Sequence, residues 1–419
     1  MPLFDYSFLA NILSKPKFKK SFKNAKRSYL NRIRWATSLF FFGMGLCFAT
    51  WASRIPDIKT ALHLSEGDLG SVLFALPVGQ LLGMNFSGKT IAKYGSHRVL
   101  IIAMLGYILC LTNLGLVTQT WQLVGALFLF GLCGNFCNIS VNTQGVFTEK
   151  LFNKPLMGSF HGSWSLAGFC GALIGLVLMS FQLSPYIHFV IVAGIVLTIM
   201  ATNYKYLIKV KKKSYTPEDA VTSKKRFRFP EKSLFLLGII GFCCMASEGI
   251  MFDWSGVYFK DIVKAPGSLV ILGYTSFMIT MASGRFLSDY LVTRHGYKKV
   301  LFCSGILIST GLYLAVIFPY ILPCVLAFML VGIGVSNVVP IVYSIAGKNN
   351  KVAPSIALTM VSSVSFLGFL IGPPIIGYIA ELTNLKYSFA FVGLFGVLIT
   401  VMVSTLPLNL TAHQTVAKK

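Results

Sequence analysis

Gly95-Ser-His-Arg-Val-Leu100 and Gly296-Tyr-Lys-Lys-Val-Leu301 stand 201 residues apart and share one design: a glycine, a short polar and basic stretch, and the start of a long apolar run. The same offset pairs Gly131 with Gly332 and Gly171 with Gly372. Three matches at one spacing point to a chain made of two related halves. Around them, 55% of the 419 residues are apolar, 12% are charged and the mean hydropathy is +0.72. Those values exclude a water-soluble globule with an ordinary charged surface.

A helix needs about 20 mostly apolar residues to cross roughly 30 Å of hydrocarbon. Twelve stretches qualify and are numbered spans 1 to 12: 35–52, 67–86, 99–117, 121–146, 158–181, 185–204, 233–258, 269–291, 300–318, 321–343, 354–379 and 387–406. Pro77, Pro340, Pro373 and Pro374 fall inside spans, where proline is tolerated and often marks a bend. The fold class this predicts is an all-α membrane protein, twelve transmembrane helices in two pseudo-symmetric six-helix bundles. The expected organisation is a basic tail (1–34), a first bundle (35–204), a linker (205–232), a second bundle (233–406) and a short tail (407–419). Six spans duplicated about a central loop is a plan common to secondary transporters, with the solute held near the midplane.

The 37 Lys and Arg against 13 Asp and Glu leave a net charge of +24, which in a soluble chain would suggest a nucleic-acid partner. Their placement argues otherwise. All but Arg54, Lys59, Lys260, Lys264 and Lys386, and Arg285 toward the inner end of span 8, fall in the tails, the linker and alternate loops on one side. Lys and Arg resist translocation, so that side is predicted to be cytoplasmic, with both termini on it. No small-residue cleavage site follows the first apolar run, which argues against a removed leader. The expected location is the inner membrane of a bacterium. The lipid bilayer is the expected partner, anionic inner-leaflet lipid can meet the basic loops, no nucleic acid is expected, and the chain should act as a monomer. The nine cysteines lack the Cys/His spacing of a metal site and read as small buried hydrophobes. No metal or cofactor is expected, a proton gradient being the energy source.

The loop after span 2, Gly88-Lys-Thr-Ile-Ala-Lys-Tyr-Gly-Ser-His-Arg98, resembles the glycine and basic signature of the major facilitator superfamily. Ala92 stands where that signature usually has an acid. In the second half, Gly284-Arg-Phe-Leu-Ser-Asp289 with Arg294-His-Gly-Tyr-Lys-Lys299 keeps an acid and the basic cluster. Three further strings are similar to the MosC-like branch, linked to rhizopine metabolism and distantly similar to sugar permeases such as the fucose transporter. They are Thr50-Trp-Ala-Ser-Arg-Ile-Pro-Asp57, Asn142-Thr-Gln-Gly145 with Ser159-Phe-His-Gly-Ser-Trp164, and Glu248-Gly-Ile-Met-Phe-Asp-Trp254. The resemblance covers nearly the whole chain and implies transport by rocking of two bundles. It does not fix the cargo.

Polar groups inside spans are the candidate functional residues, because an ionisable side chain there costs about 2.5 to 3.5 kcal/mol on insertion scales and usually faces a cavity or a partner. Glu248 in span 7 is the candidate proton carrier; the alternative is a glutamate that ties span 7 to a neighbour. Asn135, Asn138 and Asn142 recur at helical spacing with Gly145 and Glu149, making one face of span 4 polar. Amides both donate and accept, which suits a hydroxylated solute, with helix packing as the competing role. Gln80 and Asn337 are weaker additions. His161 and Trp164 lie near the start of span 5, where an indole can stack on a sugar ring. Arg54 and Asp253, near the far ends of spans 1 and 7, are a candidate outer gate, with an Arg54–Asp57 pair as the alternative. Lys93, Arg98, Arg285, Asp289 and Arg294 are the candidate inner gate, Arg285 and Asp289 being spaced for an intrahelical pair.

Together these features predict a secondary active transporter of a small polar solute, a sugar, polyol or inositol-like compound, working by alternating access with proton symport. Proton-antiport efflux of amphipathic compounds is the first alternative, suggested by 35 Phe and 14 Met. A non-transporting solute sensor ranks below it. An enzyme ranks last, since no nucleophile, base and orienting group share a recognisable spacing.

Overall fold

The computed structural model of the chain describes residues 16–64, 66–209, 232–266, 269, 272–349 and 351–405. The first fifteen residues, most of the linker and the C-terminal tail lie outside the described residues. All regular structure among those described is helical. Ten helices are long and apolar enough to cross a membrane. One of them, Leu272–Ile317, carries spans 8 and 9 on either side of Gly296, where φ is 78°. Ala75–Tyr94 supplies span 2. The remaining spans are Pro16–Ser53, Ser96–Leu114, Thr120–Phe152, Met157–Ser180, Pro185–Asn203, Lys232–Asp261, Ile321–Gly347, Pro354–Leu382 and Leu385–Thr405.

Several helices outrun their apolar stretches. Span 1 begins at Pro16 and not at residue 35, because nothing in 17–34 breaks it: proline suits a first helical position, and neither glycine nor proline follows it there. Span 2 is interrupted between Glu66–Leu73 and Ala75–Tyr94. Pro77 has no N–H for the Leu73 carbonyl, which accounts for the break.

The repeat seen in the sequence is a repeat of contacts. Gly95 and Gly296, with φ of 89° and 78°, are the two described glycines with positive φ, and each turns the chain between two antiparallel spans. A β-carbon at Gly131 would run into the Leu76 carbonyl oxygen, and one at Gly332 into that of Phe277. Leu76 and Phe277 are themselves 201 apart. Likewise Gly171 admits Ala49 of span 1, and Gly372 admits Ala246 of span 7. Spans 2 and 4 thus approach as spans 8 and 10 do, and spans 1 and 5 as spans 7 and 11 do. Small residues permit such backbone approach in lipid, where burial of apolar surface alone gives little drive for helix association.

The two bundles meet along spans 5 and 8 and along spans 2 and 11. Their polar contacts cluster at the face carrying the basic loops, called the basic face below. Spans 1 and 7 scarcely touch. The bundles therefore close at the basic face and part toward the opposite one.

Candidate functional site

At the floor of the cleft between the bundles, Arg285 of span 8 reaches across span 7. Its Nη2 donates to Glu248 Oε1 at 2.9 Å and its Nη1 donates to Ser165 Oγ of span 5 at 2.6 Å. The guanidinium also sits 6.0 Å from the ring centre of Trp164. The pair is nearly enclosed, with side-chain exposures of 7% and 10%. Two charges can be held so far from water only because each neutralises the other; removing one would strand its partner. Arg285 thereby joins the bundles, Ser165 and Trp164 belonging to the first and Glu248 to the second.

Next to this pair lies an amide and imidazole chain. Asn142 Nδ2 donates to Asn138 Oδ1 at 2.7 Å and to the Asn138 carbonyl at 2.9 Å. Its amide oxygen, 3.1 Å from His161 Nε2, is left as acceptor, so Nε2 carries the proton. The His161 ring packs 5.3 Å from Phe41 of span 1 and 5.9 Å from Tyr343 of span 10, centre to centre. Asn138, His161, Trp164 and Ser165 are half-buried. Spans 4, 5, 7 and 8 thus bring Glu248, Arg285, His161, Trp164, Asn138 and Asn142 into one layer, with Tyr343 of span 10 against it.

The other polar candidates stand apart. Asn135 is buried with its side chain against Gly83 of span 2, and its Oδ1 finds no partner. Asn337 donates to the Ile333 carbonyl of its own helix at 2.9 Å, its oxygen likewise unpaired. Gln80 is half-buried on span 2 and takes no part in the bonds of this layer among the described residues.

The basic face is closed by a different set of groups. Span 5 has no side-chain cap of its own. Its first donors are taken by two carboxylates: Glu149 Oε1 accepts from the Leu156 and Met157 N–H at 2.7 and 3.0 Å, and Asp289 accepts from the Gly158 and Ser159 N–H at 2.9 Å each and from the Ser159 hydroxyl. A helix start leaves just these groups unsatisfied and favours negative charge beside it. Asp289 comes from the opposite bundle, so this cap is also a latch. Glu149 Oε2 crosses to span 10, accepting from Ser344 Oγ at 2.5 Å and pairing with Lys348 Nζ at 2.9 Å. Burial works against the Lys348 ammonium, but the Glu149 carboxylate and Tyr297 outweigh it and hold its pKa above the ordinary lysine value. At the second seam Ser355 Oγ donates to the Gly88 carbonyl at 3.0 Å.

These contacts revise two expectations and leave a third, the outer gate, to the opposite conformation. Arg285 and Asp289 do not pair within span 8; one turn apart, they serve the cleft floor and the basic-face latch respectively. Lys93, Arg98 and Arg294 are exposed, with Lys93 over the Tyr94 ring and Arg294 donating to the Tyr290 hydroxyl at 2.7 Å, so solvated contacts within their own bundle replace a role in the closure. The Arg54–Asp253 pair, expected when the opposite face is closed, is not formed in this conformation. Arg54 donates to Asp57 at 2.6 Å, to His188 Nδ1 at 3.1 Å and to the Leu183 carbonyl at 3.0 Å, tying span 1 to span 6, while Asp253 is exposed. Glu149 and Lys348 were missed as closing residues. The available signal was an acid at the end of span 4 and a lysine at the end of span 10, two helices that end on the same face.

The family profile of the Major Facilitator Superfamily matches residues 35–272 and 239–418. The chain belongs to the major facilitator superfamily. An uncharacterized MFS-type transporter of Yersinia pestis is 31% identical over 88% of this chain and 94% of its own length. The membrane protein MosC of Rhizobium meliloti is 29% identical over 87% and 88%. Among solved structures, the superfamily transporter FucP in its outward conformation aligns with a TM-score of 0.75 at 15% identity, covering 88% of this chain and 97% of that one. A structure of the E. coli fucose:proton symporter FucP aligns at 0.68 and 18% identity, covering 90% and 98%. The superfamily norm of twelve helices agrees with the spans described above, and membership makes this an MFS membrane transporter and not an enzyme.

Proposed function

We propose that this transporter moves a small hydroxyl-rich solute, a sugar, polyol or inositol-like compound, together with a proton. Its setting is the inner membrane of a bacterium, with the basic face and both termini cytoplasmic; the charge asymmetry of the loops supports that orientation. The conformation described here is then the outward-facing one.

The observation that carries the reading is the polar layer that spans both bundles at the base of the cleft. Its amides and imidazole suit hydroxyl groups, Trp164 offers a stacking surface, and Glu248 is an acid within the membrane whose charge a proton can cancel. The likeness to a fucose:proton symporter supports the same reading. Proton binding drives transport only if it favours one conformation over the other. Glu248 would act on that balance through Arg285, whose bond to Ser165 links the two bundles.

The test is uptake into proteoliposomes holding the full chain, with an imposed pH gradient and a panel of labelled sugars and polyols. Gradient-driven accumulation of one of them, lost in Glu248→Gln, is the expected result. Uptake in Glu248→Gln with an unchanged pH dependence would remove Glu248 from the mechanism.

A further inference from the structure

The charge balance of the cleft floor says more about the cargo than its amides do. Arg285 is buried at 6% exposure, and two of its nitrogens are engaged, Nη2 by Glu248 and Nη1 by Ser165. The third, Nε, is buried without a hydrogen-bond partner. Nε and Nη2 form the edge of a guanidinium that receives a carboxylate through two parallel bonds. Glu248 occupies only half of that edge, through Oε1.

In the empty site the Glu248 carboxylate and the Arg285 cation cancel. Protonating Glu248 with a neutral sugar aboard leaves Arg285 as an uncompensated cation nearly out of water, an expensive state in a low-dielectric setting. The other titratable groups facing the pair do not correct this. Cys244 lies one turn away on span 7, Tyr343 faces from span 10, and His161 from span 5 adds no negative charge. An anion aboard does correct it.

We infer that the solute carries a carboxylate beside its hydroxyl groups: a small hydroxy acid of the aldonate or uronate type, seated on the Nε and Nη2 edge of Arg285 when Glu248 is protonated. The inference rests on the proton-coupled reading above and names its cargo class. The proton comes from the medium on the open side and goes to the Glu248 carboxylate. The solute carboxylate replaces Glu248 on Arg285, while its hydroxyls meet Asn138, Asn142 and His161. One proton and one monoanion cross together, and the site is neutral both empty and loaded. On release the proton leaves Glu248 and the ion pair re-forms, so the empty carrier returns without a stranded charge.

The test uses the purified full chain in detergent, with thermal unfolding and Trp fluorescence read against D-glucuronate, D-gluconate, D-glucose and myo-inositol at about pH 5.5 and 7.5. Both acids are anions throughout this range. A ligand that binds only the folded form raises apparent stability. Glucuronate or gluconate should raise the unfolding temperature, more at the lower pH, with glucose and inositol much weaker. Glu248→Gln, which frees Arg285 permanently, should bind the acid equally at both pH values. The double variant Glu248→Gln/Arg285→Gln leaves no stranded charge and so guards against simple misfolding; it should bind the acid about thirtyfold or more weakly, the scale of losing a buried charged partner. Equal effects of glucose and glucuronate, full acid binding by the double variant, or no response to either acid would each overturn the carboxylate assignment. Proton-driven uptake of a neutral sugar alongside such a result would leave the transport reading intact, whereas absence of proton-driven uptake for every solute would remove that reading itself.

Discussion

Replacing Asp289 by Asn is the sharpest probe of the basic-face latch, because the change keeps size and one acceptor oxygen while removing the charge. The carboxylate takes two backbone N–H groups at 2.9 Å and the Ser159 hydroxyl. Hydrogen bonds to a charged group contribute about 1.5 to 3 kcal/mol, neutral ones about 0.5 to 1.5. The asparagine oxygen keeps one of the two N–H groups in a neutral bond, a loss of about 1 kcal/mol, while its NH2 cannot accept from the other, a loss of about 1.5 to 3; the favourable field of a charge at a helix start adds about 0.3 to 1. A total of about 3 to 5 kcal/mol corresponds to a shift of roughly 150- to 5,000-fold away from the closed basic face. Hydrogen–deuterium exchange at the Gly158 and Ser159 amides reads this directly. Within the first turn of span 5 these amides have no helical acceptor, so their protection reports the bond to Asp289. Protection should fall by that factor in Asp289→Asn and vanish in Asp289→Ala, while amides deeper in span 5 stay protected. Unchanged protection at the two positions in a folded Asp289→Asn protein would refute the latch.

Four further outcomes follow from the same geometry. Glu149→Gln strands Lys348 and should destabilise the fold by about 3 kcal/mol, the lower end for breaking a buried pair because the lysine is partly exposed, read as a fall in unfolding temperature. Since the folded-state pKa of Lys348 lies above its ordinary value, its contribution should be fully present at neutral pH and be lost only as pH rises through that raised value; an unfolding temperature that falls between pH 7 and 9 in the wild type, but not in Lys348→Met, would contradict this. Gly88→Val places a side chain against Thr359 and the Ser355 carbonyl, so it should disfavour basic-face closure by about 1 to 3 kcal/mol, seen as faster labelling of a cysteine introduced at Ser355 in a cysteine-free background. At the other end, Asp253→Asn should leave the unfolding temperature unchanged because Asp253 is exposed, whereas Arg54→Met should lower it by orphaning Asp57. If Asp253 closes on Arg54 in the opposite conformation, Asp253→Asn also slows uptake, and wild-type uptake by that variant would discard the gate.

What the sequence displayed depended on whether a signal was local or relational. Gly95 and Gly296 were legible because a hairpin between two spans needs a backbone turn that glycine supplies, and the requirement recurs with the repeat. Glu248 was legible because a lone acid in an apolar run is costly wherever its partner lies. Arg285 was not, since helical spacing offered Asp289 as a neighbour and gave no view of span 7. The same blindness hid Glu149, which looked like the end of an amide face until span 10 was seen to deliver Lys348 beside it.

The repeat offset adds a point that neither half shows alone. Asp289 corresponds to Gly88, and Gly158 corresponds to Thr359, each pair being 201 apart. At one seam the second bundle offers the acid and the first the glycine; at the other the first bundle offers the glycine and the second a threonine. Ala92 drew attention as the missing acid of the first half, yet the offset sets it opposite Thr293, so Gly88 is the true counterpart of Asp289. The two seams that symmetry would make equal are therefore unequal. The span 5–8 seam is a charged cap on a helix start, whereas the span 2–11 seam rests on close packing and the Ser355 hydroxyl. Charge-assisted bonds are roughly twice as strong as neutral ones, so opening of the basic face should begin at spans 2 and 11 and reach the Asp289 latch last.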